Sequence, residues 1–431
     1  MTKKVQVTIE SVAFKGYGVA RISGKVVFIP YTATGDKAWI EIVEEKKKYS
    51  TGRLIQVIEP SHWRANPPCP YFGTCGGCQW QHINNSVQVE LKKEILKDLL
   101  KRLGRVKEVP PITIFPPPQS YGYRARTQLK VKGKALGYYQ EKSHRIVDIQ
   151  ECLIVHPSIN QMIPMVRKKM PSSPQIEEIE INISPDEDRG ILILHCLSLD
   201  RGLENGLRDF FQNHTIFKGI AIARKEGLTS LGDLYLNFTI PLNQGVEKRN
   251  LKYRVSPGSF SQVNLEQNHT LIHTILQFSE LNKEDSVLDL YAGVGNLTLP
   301  LALRAKEVLG IEENRMAIDD AYFNAEKNGI QNCDFIQGKV EDVFTIWRRE
   351  SPDLITLDPP RTGAKTILDQ LVRLKPNKII YISCEPTTFS RDLHLFSERG
   401  YSLRRLGLID MFPQTYHMEV VGLLQQSYDS G

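Results

Sequence analysis

A chain of 431 residues is too long for one hydrophobic core, so two or three domains are expected. With 41% hydrophobic and 24% charged residues, no apolar run of membrane-spanning length and no signal-peptide core after Met1, the composition predicts a cytoplasmic globular protein without a membrane role. The net charge of +6 permits a polyanionic partner without requiring one, and seven cysteines, unevenly spread, argue against a disulfide framework and for metal or catalytic use.

Residues 1–59 alternate as five short strands, Val5–Ile9, Gly18–Ile22, Val26–Ile29, Lys37–Val43 and Gly52–Ile58, separated by turns at Gly16, Gly24 and Gly35. That spacing predicts a small barrel of OB type. Basic residues gather at Lys46, Lys47 and Lys48 with Arg53 nearby, which a solvated hairpin face also explains. The segment, with its Gly16-Tyr-Gly-Val-Ala-Arg21 turn, resembles the TRAM domain of RNA-modifying enzymes, and the resemblance implies that the basic face meets RNA.

Residues 60–250 form the second expected domain, of α+β class. It opens with Cys69, Cys75 and Cys78 in a glycine-rich C-x5-C-x2-C loop that can wrap an inorganic core. A fourth ligand has to come from elsewhere, and Cys152 is the candidate. Four thiolates suit a [4Fe–4S] cluster or a tetrahedral zinc. The cluster is favoured because zinc sites usually come as two C-x2-C pairs. An amphipathic helix over 86–104 follows, with Val87, Leu91, Ile95, Leu99 and Leu103 among its apolar positions and Gly104 as its stop. Prolines at 110–111 and 116–118 mark a linker. Tyr123, Arg124 and Arg126 then combine stacking and guanidinium groups, as an RNA surface does, although a plain exposed strand accounts for them nearly as well. Strands near 176–183, 191–197, 220–223 and 234–238, with a helix near 203–211, complete this domain.

From 251 to 431 strands and helices alternate, which predicts a doubly wound sheet with ligands at the carboxyl ends of its strands. A helix over 264–279 leads into the apolar run Val287–Leu290, which turns through Gly293 and Gly295 into Leu297–Ala302. The order Asp289-x-Tyr291-x-Gly293-x-Gly295, without a third glycine, followed by a strand ending in Glu312, reads as an S-adenosylmethionine (SAM) site rather than a dinucleotide site. A carboxylate at 312 can accept both ribose hydroxyls. Two further strand ends carry Asp358-Pro-Pro-Arg361 and Ser383-Cys384-Glu-Pro386. The Asp-Pro-Pro segment alone is similar to amino-group methyltransferases, but Arg361 stands where those enzymes have an aromatic residue, and a cysteine appears one strand later.

Taken together, the four cysteines, Ser259-Phe-Ser-Gln-Val-Asn264, Asp289–Asn296, Asp358–Arg361, Ser383–Pro386 and Asp410-Met-Phe-Pro-Gln-Thr-Tyr-His-Met-Glu419 resemble the RNA 5-methyluridine methyltransferase family over essentially the full length. The resemblance implies Cys384 as nucleophile, Glu419 as base, SAM contacts from Gln262, Tyr291, Glu312 and Asp358, and a [4Fe–4S] cluster on Cys69, Cys75, Cys78 and Cys152. It points to 23S rRNA as the RNA partner ahead of the transfer RNA T-loop, and to no obligate protein partner. One departure is Lys339, where the family often has an Asp or Asn that reads the adenine; Glu341, Asp342 or backbone groups are the alternatives. Two other classes stay open on the sequence: an amino-group methyltransferase, and a non-catalytic RNA-binding iron–sulfur protein.

Overall fold

The computed structural model describes residues 4–244, 247–347 and 351–426, so the outermost residues of the expected first and last domains lie outside it. No helix among the described residues is long and apolar enough to cross a membrane. The N-terminal segment is a sheet of six strands rather than five, because the two-residue strand Ser11–Val12 joins its edge. Alternation along these strands points Val7, Ile9, Ala20, Val27, Ile29, Ala38 and Ile40 into one small core.

A seven-stranded mixed sheet spans 126–232, with helices Pro157–Lys169 and Arg201–Asn213 packed against it. The third and largest sheet has eight strands, in the order Cys333–Gln337, Glu307–Glu312, Ser286–Leu290, Leu354–Leu357, Lys378–Ser383, Glu419–Gln426, Tyr401–Ile409 and Ile112–Phe115. All run parallel except Glu419–Gln426, which is antiparallel to both neighbours. The four parallel strands inside the Cys333–Gln337 edge read as largely apolar runs because helices cover both faces.

The sheets do not follow the expected boundaries at 60 and 250. Strand Ile112–Phe115 pairs with Tyr401–Ile409, at the edge of the C-terminal sheet. Helix Asn85–Arg102 buries Leu91, Ile95, Leu96, Leu99 and Leu100 in the same core as Leu288, Ile355 and Phe389. The hairpin Leu236–Gln244 with Glu247–Val255 likewise packs Phe238 and Tyr253 against the C-terminal helices. The chain therefore contributes to its last domain, leaves it to build the insert, and returns.

Candidate active site

The sheet order reverses between Ser286–Leu290 and Leu354–Leu357, and the crevice over such a reversal is where open α/β sheets bind ligands. Tyr291, Glu312, Asp358 and Cys384 each follow or end a parallel strand on this rim. Glu419 reaches the same rim by a different route. It begins an antiparallel strand, so its start lies where the parallel neighbours end. Ser383 pairs with Val420, so Cys384 and Glu419 each lie one residue beyond that pair, and the Glu419 charge acts on the thiol.

Around the glycine turn, Tyr291 takes a left-handed backbone (φ +62°) and Gly293 follows at +55°. A Cβ on Gly293 would meet nothing within 4 Å, so the turn faces open space. Glu312 clamps this turn: its carboxylate accepts N–H bonds from Gly293 (3.0 Å) and Asn314 (2.8 Å). An ionised carboxylate has about four acceptor positions, so two remain for a diol. Glu341 lies close enough to Tyr291 for its charge, with that of Glu312, to add to burial in pushing the phenol up to about 12. Buried Gln262 sits in a loop tied to the same unit: the hydroxyls of Ser256 and Ser259 donate to Asp320, and Asn314 donates to the Gly258 carbonyl. These groups fit an adenosine with its ribose.

Below the turn, Asp289 is buried and accepts from the Thr298 (2.5 Å) and Thr356 (2.6 Å) hydroxyls. Burial nevertheless lifts it to about 6. Asp358, half-buried, rises to about 7, through loss of hydration first and the Asp289 charge second. Glu419 is held well above the usual carboxylate range by burial and then by Asp358. Burial pushes the Cys384 thiol up to about 11, with Glu419 and Asp358 adding to the rise and the Arg361 guanidinium, hydrogen-bonded to the sulfur, opposing it. Arg361 is thus part of the site, and the sequence reading had noted it only for the residue it replaces.

The four metal-candidate cysteines come together. Cys69, Cys75, Cys78 and Cys152 are free thiols lining one cavity of about 70 Å³, with Arg124 and Tyr138 in its wall. Burial raises Cys69, Cys75 and Cys78, and each also feels the charge of Cys152. Among the described residues no group of three or more His, Cys, Asp or Glu is arranged to hold a metal ion.

The expected RNA surface at 123–126 is not one. Tyr123 is buried with its hydroxyl donating to the Pro413 carbonyl (3.1 Å), Arg124 lines the cysteine cavity, and Arg126 is paired with Glu180 at 2.9 Å. Tyr123 precedes the strand Arg126–Lys132 and is covered from the side of Pro413. The aromatic and basic groups that do line a large open cleft, of about 780 Å³, include Lys15, Tyr17, Lys130, Tyr139, Lys142 and Tyr416. Sequence reasoning also missed Lys92, on helix Asn85–Arg102. It is fully buried and paired with Asp410 at 2.6 Å, while also donating to the Phe412 carbonyl.

A doubly wound sheet with a glycine turn at its reversal point and acids on the strand ends to either side has the architecture of S-adenosylmethionine-dependent methyltransferases. Comparison with known proteins narrows the class. The model of the tRNA (uracil-5-)-methyltransferase family matches residues 84–427, starting where helix Asn85–Arg102 starts, and the TRAM domain model matches 2–55. An uncharacterized RNA methyltransferase of Aquifex aeolicus is 37% identical over 98% of this chain and 99% of its own. The 23S rRNA (uracil(1939)-C(5))-methyltransferase RlmD of Pectobacterium atrosepticum is 32% identical over 98% of this chain and 93% of its own. Among solved structures, the Pyrococcus abyssi tRNA (uracil-54, C5)-methyltransferase in complex with S-adenosyl-L-homocysteine superposes with a TM-score of 0.76 at 25% identity, covering 97% of this chain and 99% of that one. The chain belongs to the tRNA (uracil-5-)-methyltransferase family and is an RNA uracil-C5 methyltransferase with an N-terminal TRAM domain.

Proposed function

We propose that the protein methylates carbon 5 of one uridine in 23S rRNA, with Cys384 as nucleophile and Glu419 as base. The meeting of a thiol, a carboxyl and a guanidinium at the carboxyl-end rim of the sheet, each close enough to act on the Cys384 sulfur, carries this reading. Carbon 5 of uracil is too weak a nucleophile to take a methyl group unaided. Addition of the Cys384 thiolate to carbon 6 moves the ring's double-bond electrons onto the oxygen at carbon 4, and carbon 5 becomes reactive. SAM bound over the glycine turn supplies the electrophilic methyl group. Glu419 then takes the proton from carbon 5, the ring double bond re-forms, and the thiolate leaves. A carboxylate whose proton affinity is raised by burial is a stronger base for that step. Attack on carbon 6 needs the face of the ring, so the uridine has to leave its stack. Gln262, Tyr291, Glu312 and Asp358 are the residues assigned to hold the methyl donor.

For the RNA, the named ribosomal relative is more similar in sequence than the named transfer RNA enzyme, which supports 23S rRNA. The near-complete overlay with the latter keeps a transfer RNA uridine as the second reading. Labelling RNA from a strain lacking the protein with methyl-labelled SAM and mapping the label decides between them. Label confined to transfer RNA would overturn the ribosomal assignment.

We also assign a [4Fe–4S] cluster to Cys69, Cys75, Cys78 and Cys152. Four thiols converging on one cavity need cations to balance them once ionised, and Arg124 alone does not suffice. A single zinc would draw its sulfurs to roughly 3.8 Å from one another, as tetrahedral bonds of about 2.3 Å require. Purified protein is expected to carry about four iron and four acid-labile sulfide per chain. Stoichiometric zinc without sulfide would refute the assignment.

A further inference from the structure

The segment from Asp410 to Glu419 joins the last two strands of the large sheet and ends on the proposed base. In its middle Gln414 has a left-handed backbone (φ +69°), which residues with a side chain seldom adopt. It is wholly buried, and each of its polar atoms is engaged outside the segment. Its N–H donates to Gln88 Oε1 (2.9 Å), and its carbonyl accepts from the N–H groups of Gln79 (3.1 Å) and Trp80 (3.0 Å). Its side-chain Nε2 donates to Asn85 Oδ1 (2.6 Å), and its Oε1 accepts from Gln88 Nε2 (3.1 Å).

A glycine would take this backbone without strain, so the side chain is kept for its bonds. Those bonds tie the segment to the start of helix Asn85–Arg102 and to the turn after Cys78. Glu419 is the first residue of its strand, paired with Ile409, and the chain leading into it is anchored at Gln414. The bonds of Gln414 do not reach strand Lys378–Ser383, which Cys384 follows.

We infer that Gln414, clamped by Gln88 and Asn85, is a positioning residue for the second half of the reaction: it sets Glu419 for proton removal and leaves attachment of the nucleophile untouched. This rests on the roles proposed above for Cys384 and Glu419. The two halves are separable. RNA carrying 5-fluorouridine has no proton at carbon 5, so methyl transfer leaves a trapped adduct without any need for the base. Ordinary RNA needs the base to release the enzyme.

The experiment compares Gln414→Gly, which keeps the backbone angle, and Gln88→Leu, which removes the clamp from the other side, with the unsubstituted protein and Glu419→Gln. Each is given methyl-labelled SAM and RNA from a strain lacking the protein, with and without 5-fluorouridine. Turnover on ordinary RNA is expected to fall by about a hundredfold, the scale of a small misplacement of a reacting group, with covalent adduct building up as in Glu419→Gln. The rate of adduct formation on 5-fluorouridine RNA stays within about twofold of the unsubstituted rate, since nothing in that step uses the base. Equal loss of both rates, with or without loss of the fold, or no loss of either, overturns the inference. If the unsubstituted protein itself forms no adduct on 5-fluorouridine RNA, it is the nucleophile assignment that falls.

Discussion

Replacing Lys92 with methionine removes one end of an ion pair whose side chains are 0% and 2% exposed. Methionine fills much of the same space beside the Trp80 ring, which lies 5.6 Å from the lysine nitrogen, so packing loss is small. What remains is the Asp410 carboxyl in a dry site with no partner. Such a group takes up a proton rather than stay charged. Protonating an aspartate costs about 4 kcal/mol at pH 7 and about 1.5 kcal/mol at pH 5. The first figure agrees with the roughly 3–5 kcal/mol found when one partner of a buried pair is deleted. In the variant the folded chain binds a proton that the unfolded chain releases, so its stability is kept at low pH and lost as pH rises. Urea unfolding followed by tryptophan fluorescence at both pH values measures this. Adding Asp410→Leu is expected to restore most of the loss, because an apolar pair replaces a buried ion pair at little or no cost. A loss below about 1 kcal/mol at pH 7, or one that does not change with pH, would refute the reasoning.

Glu312→Gln keeps the size of the side chain but removes its charge, and is expected to weaken S-adenosylhomocysteine binding by about tenfold or more in a direct titration; unchanged affinity would remove Glu312 from the donor site. Asp358 has its folded value raised to about 7, so in the ligand-free protein it stabilises below about pH 4 and that contribution is lost as pH rises to about 7. Asp358→Asn is expected to flatten the decline of melting temperature across that window, and an unaltered slope would contradict its burial. Removing the guanidinium with Arg361→Met is expected to slow alkylation of Cys384 at pH 8, by about tenfold for each unit the thiol rises, read by mass spectrometry of the Cys384 peptide. Equal rates would mean that Arg361 does not favour the thiolate.

The glycine turn and the strand-end acids Glu312 and Asp358 were legible in the sequence because each follows a mostly apolar run, and that pattern is local. Glu419 was not legible from its own surroundings. Its place depends on one antiparallel strand inserted between parallel ones, a long-range pairing that no short pattern encodes. The role of Tyr123 was misread for a related reason: it lies before the strand Arg126–Lys132, and its burial against Pro413, almost three hundred residues away, leaves no local pattern. Lys92 did leave a signal. It stands three residues after Val89, four before Leu96 and seven before Leu99, a cation on the apolar stripe of its helix, which calls for a buried partner. The four cysteines were brought together as the spacing implied, since the insert returns Cys152 to the loop that holds the other three.

The edge strand Ile112–Phe115 has a consequence for how the chain is made. Its partner Tyr401–Ile409 is synthesised almost three hundred residues later, so the last sheet cannot close until that strand has left the ribosome. Until then the early strand has no partner in the sheet, and long-range pairing of this kind is slow. A truncated protein beginning at residue 251 would carry every proposed catalytic and donor-binding group, yet it would leave Tyr401–Ile409 as a bare hydrophobic margin. Such margins recruit one another, so the fragment is expected to clump rather than work.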